Sequence, residues 1–224
     1  MEAQNVKLIA LVIGGWVFSL CLHEFAHAIV AYVGGDKSVK DKGYLTFNPL
    51  AYAHPVYSVV LPVVFVLLGG LALPGGAVYI ETQRLRSRHW DCAVSLAGPL
   101  ANILLFLVMI VPFQLGLVSF DPHEAGLFWI GYSYVAYLQI IAVMFNLLPL
   151  PPLDGFQAIG AYLKPSTRQW FLGNSNLFLL ALIVVMVRLP SVTRPFWETT
   201  YWIAGMAGIP SGLVNTARQG MSFF

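Results

Sequence analysis

Charge is what this sequence has least of. Only 10% of its 224 residues are Asp, Glu, Lys or Arg, while 58% fall in the hydrophobic set. An average soluble domain is about a quarter charged and about half apolar. So small a polar complement cannot cover a water-soluble globule, and lipid is the solvent that the remaining side chains require. The formal net charge is +2 with no block of like charges, which leaves no nucleic acid as an implied partner. Cysteine is nearly absent. Cys21 and Cys92 both lie in or beside apolar stretches, make no disulfide framework, and read as buried free thiols. Internal repeats, low-complexity tracts and any stretch resembling a soluble domain are also missing. Residues 1–7 carry one Lys and one Glu, and no small-residue cleavage site follows. The first apolar stretch therefore reads as a retained helix and not a signal peptide.

What is present is a series of apolar segments. A spanning helix needs about 20 mostly apolar residues. The candidates are 6–33, ended by Gly34-Gly35; 56–73, interrupted by Pro62 and Gly69-Gly70 and able to span or re-enter; 93–117; 126–148; 177–189; and a weaker 196–214. The expectation is an all-α integral membrane protein with about five to six transmembrane helices. It forms one membrane-embedded unit over 1–224, with a core at about 6–163 and additional membrane helices at about 164–224. Short extended pieces are expected at Tyr44-Leu45-Thr46-Phe47 and over 77–80. Pro149, Pro151 and Pro152 break the chain after the fourth span, because proline lacks the backbone donor and clashes with the preceding turn. If every segment crosses, Lys7, Arg84, Arg86, Arg88, Lys164 and Arg168 share one side. The positive-inside bias then puts the N-terminus in the cytoplasm.

The first apolar segment contains His23-Glu24-Phe25-Ala26-His27. Residues four apart on a helix share one face, with Cβ atoms about 5–6 Å apart, so two imidazoles at this spacing reach one zinc ion. Glu24 follows the first His and is placed to take a proton from water without being a ligand itself. This is the HExxH pattern. The nearest charged neighbours are Lys7 and Asp36, and an intramembrane charge costs about 2.5–3.5 kcal/mol on insertion scales, a cost that a bound divalent cation offsets. The competing reading is a polar cluster hydrogen-bonded to another helix. Cys21 lies two residues before His23, about 200° around the helix, and is rejected as a ligand. A catalytic zinc needs a third protein ligand. Asp154, between Pro151-Pro152-Leu153 and Gly155-Phe156, sits on a backbone break tolerable in a membrane only when buried in protein or lining a wet cavity. Taken alone, Leu153-Asp154-Gly155 is an ordinary turn. Beside the first motif, the ligand reading prevails.

Together, His23 to His27 and Asn146-Leu147-Leu148-Pro149-Leu150-Pro151-Pro152-Leu153-Asp154-Gly155 resemble the site-2 protease family of intramembrane zinc metalloproteases. The resemblance is to the compact prokaryotic branch, without PDZ or CBS domains. Leu45-Thr46-Phe47-Asn48-Pro49-Leu50 and Ala97-Gly98-Pro99-Leu100-Ala101-Asn102 fit that branch too, so the resemblance runs in order from about residue 18 to 155. It implies one catalytic zinc held by His23, His27 and Asp154, with Glu24 as base. It also implies that Asn102 and Asn146 line the substrate groove or steady the reacting carbonyl, although a plain interhelical hydrogen bond explains each nearly as well. The implied substrates are transmembrane proteins or peptides, cut by regulated intramembrane proteolysis. The implied setting is the lipid bilayer of a prokaryotic plasma membrane, with the site reached from the cytoplasmic side and a homo-oligomer left open.

The chain departs from the family twice. Phe156 follows Asp154-Gly155 where a second Gly is frequent, and His54-Pro55 stands where an acidic residue often precedes the proline. His54 reads first as a helix-entry residue and second as a group behind the ligands. The nearest rival is a prenyl-protein endopeptidase type, which needs a third-ligand glutamate; the later ones here are Glu81, Glu124 and Glu198. A membrane metal-ion transporter and a non-catalytic membrane-protein-binding relative are the readings from other classes.

Overall fold

The computed structural model describes residues 2–52 and 78–221. The second apolar segment, 56–73, and His54 lie outside the described residues. Among those described there is no β-strand.

Helix α1 runs Glu2–Gly34. Its 33 residues would extend about 50 Å at 1.5 Å each, longer than a bilayer core of about 30 Å. It stops at Gly35, whose φ of +126° is left-handed space, and a Cβ there would lie 2.7 Å from the Arg84 carbonyl. Helix α2 (Ser38–Asp41) and a 3-10 turn (Pro49–Tyr52) follow. The strand expected at Tyr44 to Phe47 is instead a run of bends. The Tyr52 hydroxyl donates to the carbonyls of Tyr44 and Thr46, folding the segment back on itself. Residues 78–80 are non-helical, without a ladder partner among the described residues.

Helix α3 (Arg88–Met109) carries Pro99 in its interior and continues after Ile110 as the short α4 (Val111–Gln114). Helix α5 (Pro122–Asn146) is opened by Asp121, whose carboxylate accepts from the His123 N–H, with proline at the first helical position. The proline-rich break expected after it is there, over 147–153. Short helix α6 (Asp154–Gly160) then returns the chain against α3. The bundle is built from α1, α3 and α5, which pack on one another pairwise. Close approach is secured by small residues: a Cβ on Gly131 would come 2.4 Å from Leu11, and one on Gly15 would come 2.8 Å from Val135.

The C-terminal third departs from expectation. Helices α7 (Pro165–Gly173) and α8 (Ser175–Arg188) meet at a 58° bend. The expected fifth span is therefore a 14-residue helix that reaches spanning length only together with its bent neighbour. The expected sixth, 196–214, is not one helix. Helix α9 (Pro190–Met206) ends before Gly208, whose φ is +74°, and Pro210 precedes α10 (Ser211–Met221). A left-handed glycine and a proline two residues later forbid continuation. Leu213, Val214 and Ala217 of α10 are buried, and the helix packs on α5 and α1. Among the described residues, three helices are long and apolar enough to cross a membrane, or four if the bent pair counts as one, against the five to six expected.

Candidate metal centre

His23 and His27 project from one face of α1, as their spacing requires, and their Nε2 atoms stand 3.0 Å apart. Asp154 enters from the first turn of α6. Its Oδ2 lies 3.2 Å from His23 Nε2 and its Oδ1 lies 3.5 Å from His27 Nε2. The three residues form the one group of His, Cys, Asp or Glu side chains among those described whose donor atoms converge closely enough for a metal.

The donors fit a zinc ion by geometry and by protonation. Ligand atoms held tetrahedrally at zinc distances of about 2.0–2.1 Å are about 3.3 Å from one another. The observed separations of 3.0, 3.2 and 3.5 Å bracket that edge. The Nδ1 of His27 donates to the Val94 carbonyl at 2.7 Å, and that of His23 donates to Asn102 Oδ1 at 2.5 Å. With a proton on each Nδ1, both Nε2 atoms present lone pairs to the shared point. Asp154 Oδ2 is buried without a hydrogen-bond donor. Two lone pairs and an orphaned carboxylate oxygen facing one another call for a cation.

Backbone on the opposing side makes the room. A Cβ on Gly98 of α3 would lie 2.3 Å from His27 Nε2 and 2.5 Å from His23 Nε2, so only glycine leaves the donor tips clear. Gly155 is constrained from the other side: its Cβ would meet the Leu147 carbonyl at 2.3 Å and the Leu148 carbonyl oxygen at 2.7 Å. The first turn of α6 is seated directly on the carbonyls that end α5, and this seating aims Asp154.

Glu24 is 5% exposed and lines the same cavity, together with Val78. Segment 78–84 is held beside the site by buried Asp36, which accepts from the Ser38 backbone and hydroxyl and from the Glu81 N–H. Glu81 is also paired with Lys42, whose ammonium, hydrogen-bonded to the carboxylate, holds it below its ordinary pKa. The cavity has a volume of about 980 Å³ and reaches from Glu24 and the histidines past Asn146 and Leu153 to Arg168 and Gln169.

The two asparagines have different surroundings. Asn102 is buried, and its amide is engaged on every side, by His23, Ser19 and Gln139. Asn146, at the last turn of α5, lines the cavity with no polar partner among the described residues. The remaining glutamates are engaged elsewhere: Glu81 with Lys42 and Arg84, Glu124 with Ser119, Glu198 with Arg194. Cys21 is buried and free, outside the donor group.

Gly98, Ser19 and Gln139 are the site residues that sequence reasoning missed. Gly98 carried a signal, since a glycine beside a proline inside an apolar helix weakens that helix unless something must approach its backbone. Gln139 offered the signal of a lone amide in an apolar span.

No family model matches the chain, and no solved structure does. Among curated proteins, "Putative zinc metalloprotease Rip2" of Mycolicibacterium smegmatis is 42% identical over 216 residues, 96% of this chain and 80% of the relative. The protein of the same name from Mycobacterium tuberculosis is 40% identical over 199 residues, 89% of this chain and 74% of the relative. "Putative zinc metalloprotease YwhC" of Bacillus subtilis is 31% identical over 160 residues, 68% of each chain. On identity of this level across most of both chains, the protein belongs to the zinc metalloprotease family of Rip2 and YwhC.

Proposed function

We propose that this protein is an intramembrane zinc metalloendopeptidase of the site-2 protease type, hydrolysing peptide bonds in transmembrane segments of other membrane proteins. One observation carries the reading: His23, His27 and Asp154 converge on a single point, with Glu24 beside it, inside a bundle of helices long and apolar enough to cross a bilayer. Bound zinc supplies a Lewis acid that polarises a carbonyl and lowers the pKa of water toward about 7.

The chain's own residues do the rest. His23, His27 and Asp154 would hold the ion, the three protein ligands that a catalytic zinc needs. Glu24 takes the proton from the attacking water and returns it to the leaving amine. Asn146, which lines the cavity, donates to the scissile carbonyl oxygen as charge develops there. Asn102 has no donor to spare and acts on His23 instead. A helical substrate has its carbonyls engaged internally, so the segment to be cut must unwind within the cavity. Water would reach the site along the polar residues of the cavity lining, Gln157, Arg168 and Gln169.

The test combines metal analysis of the purified protein with a cleavage assay on a panel of membrane peptides. One zinc per chain and cleavage that Glu24→Gln abolishes support the reading. A zinc-loaded protein that cleaves none of the panel and carries zinc into proteoliposomes replaces it with transport.

A further inference from the structure

We infer that Ser19, Asn102 and Gln139 form a hydrogen-bond relay that sets the ring tautomer of His23, so that α5, which supplies no ligand, nonetheless determines whether the site can bind its ion. This rests on the metal-site reading above and identifies the residues that make it work.

The direction of the relay follows from its far end. Gln139 Nε2 donates to the Val135 carbonyl at 3.2 Å. A carbonyl only accepts, so the amide of Gln139 cannot be reversed without setting two oxygens against each other. Gln139 Oε1 therefore faces the bundle interior, where it accepts from Ser19 Oγ at 2.6 Å and from Asn102 Nδ2 at 2.8 Å. Asn102 Nδ2 spends its second hydrogen on Ser19 Oγ at 2.9 Å. Both donors of Asn102 are thus committed, and its Oδ1 is left to accept from His23 Nδ1. With the proton on Nδ1, Nε2 presents a lone pair to the ion.

Every member is sealed from solvent: Gln139 and Ser19 are 0% and 1% exposed, and Asn102 is 3% exposed. Water cannot substitute for a lost partner without opening the bundle. Ser19 lies one turn before His23 on α1, Asn102 is on α3, and Gln139 is on α5, so the relay links the three long helices at the level of the site. If the Asn102 amide turned over, its NH2 would face His23 Nδ1. The ring proton would then move to Nε2, which would stop being a ligand.

The experiment is a zinc titration of the purified full chain against a chromophoric chelator. Partners behind a ligating histidine typically contribute about 10–100-fold in metal affinity. Asn102→Leu is expected to weaken zinc binding by about that range and Gln139→Leu by about tenfold. In the Asn102→Leu background, Gln139→Leu should add nothing, because the relay is already cut. Tyr137→Phe removes another buried hydrogen bond from the same helix, to Thr200, and should leave zinc affinity unchanged. Ser19→Ala, the mildest change, should weaken binding several-fold and keeps the test available if Gln139→Leu does not fold.

Wild-type affinity in Gln139→Leu and Ser19→Ala overturns the relay. So do additive losses in the double variant, or an equal loss in Tyr137→Phe. Zinc binding that is also indifferent to His23→Ala overturns the metal-site reading itself, a result distinguishable from the others.

Discussion

Gly98→Ala separates the stability of the helix from the chemistry of the site. Alanine is the better helix former, favoured over glycine by about 0.8–1.0 kcal/mol in a helix interior. On propensity alone the substitution strengthens α3. Its added methyl, however, would stand 2.3 Å from His27 Nε2 and 2.5 Å from His23 Nε2, where ordinary contact begins at 3.4 Å. Both imidazole tips must retreat by about 1 Å, and metal–ligand bonds tolerate only about 0.2 Å. His23 and His27 cannot both withdraw and still meet Asp154, because their Nδ1 atoms are tied to Asn102 and the Val94 carbonyl. The expected outcome is a folded helical protein whose zinc affinity falls by about 100-fold or more, beyond the usual cost of losing an outer-shell partner. Circular dichroism checks the fold, and metal analysis after dialysis checks the site. Stoichiometric zinc and wild-type cleavage in Gly98→Ala would refute the claim that glycine at this position is what leaves the donor tips clear.

The other perturbations follow the same geometry. Glu24→Gln keeps all three donors and should leave a zinc-loaded protein with cleavage at background, read by metal analysis beside a peptide assay. Asp154→Ala removes the carboxylate and should lose zinc and activity together. Gly155→Ala drives a methyl into the carbonyls of Leu147 and Leu148, displaces Asp154, and should reproduce much of that loss without touching a ligand. Arg168→Met strands Asp91, whose carboxylate the guanidinium clasps with both terminal nitrogens where α7 meets the start of α3. The pair is largely buried, so the expected cost is about 2–3 kcal/mol, between exposed and fully buried limits, visible as a thermal midpoint several degrees lower.

The elements most legible in the sequence were those set by local rules. Helical spacing put His23 and His27 on one face, the glycine pair ended α1, and the prolines after Asn146 announced the break that carries Asp154. What escaped were properties that exist only between segments. Nothing near residue 139 reveals that its amide is anchored on Val135 and aimed at Asn102, and nothing near residue 98 reveals that two imidazoles approach it. Apolar composition also hid the interruptions at the C-terminal end. Segment 196–214 reads as a weak apolar stretch, yet Gly208 in left-handed space and Pro210 divide it, and α10 packs on α5 and α1. The Tyr44 to Phe47 run has strand-forming residues but no partner strand among the described residues, and the Tyr52 hydroxyl folds it back on itself.

X-ray absorption at the zinc K-edge of the purified protein tests the centre of the account most directly. The expected spectrum has two imidazole nitrogens and oxygen ligands in the shell at about 2.0–2.2 Å, and no sulfur. A scatterer at about 2.3 Å characteristic of thiolate, or a single imidazole in the shell, would contradict the assignment of His23, His27 and Asp154 to one ion.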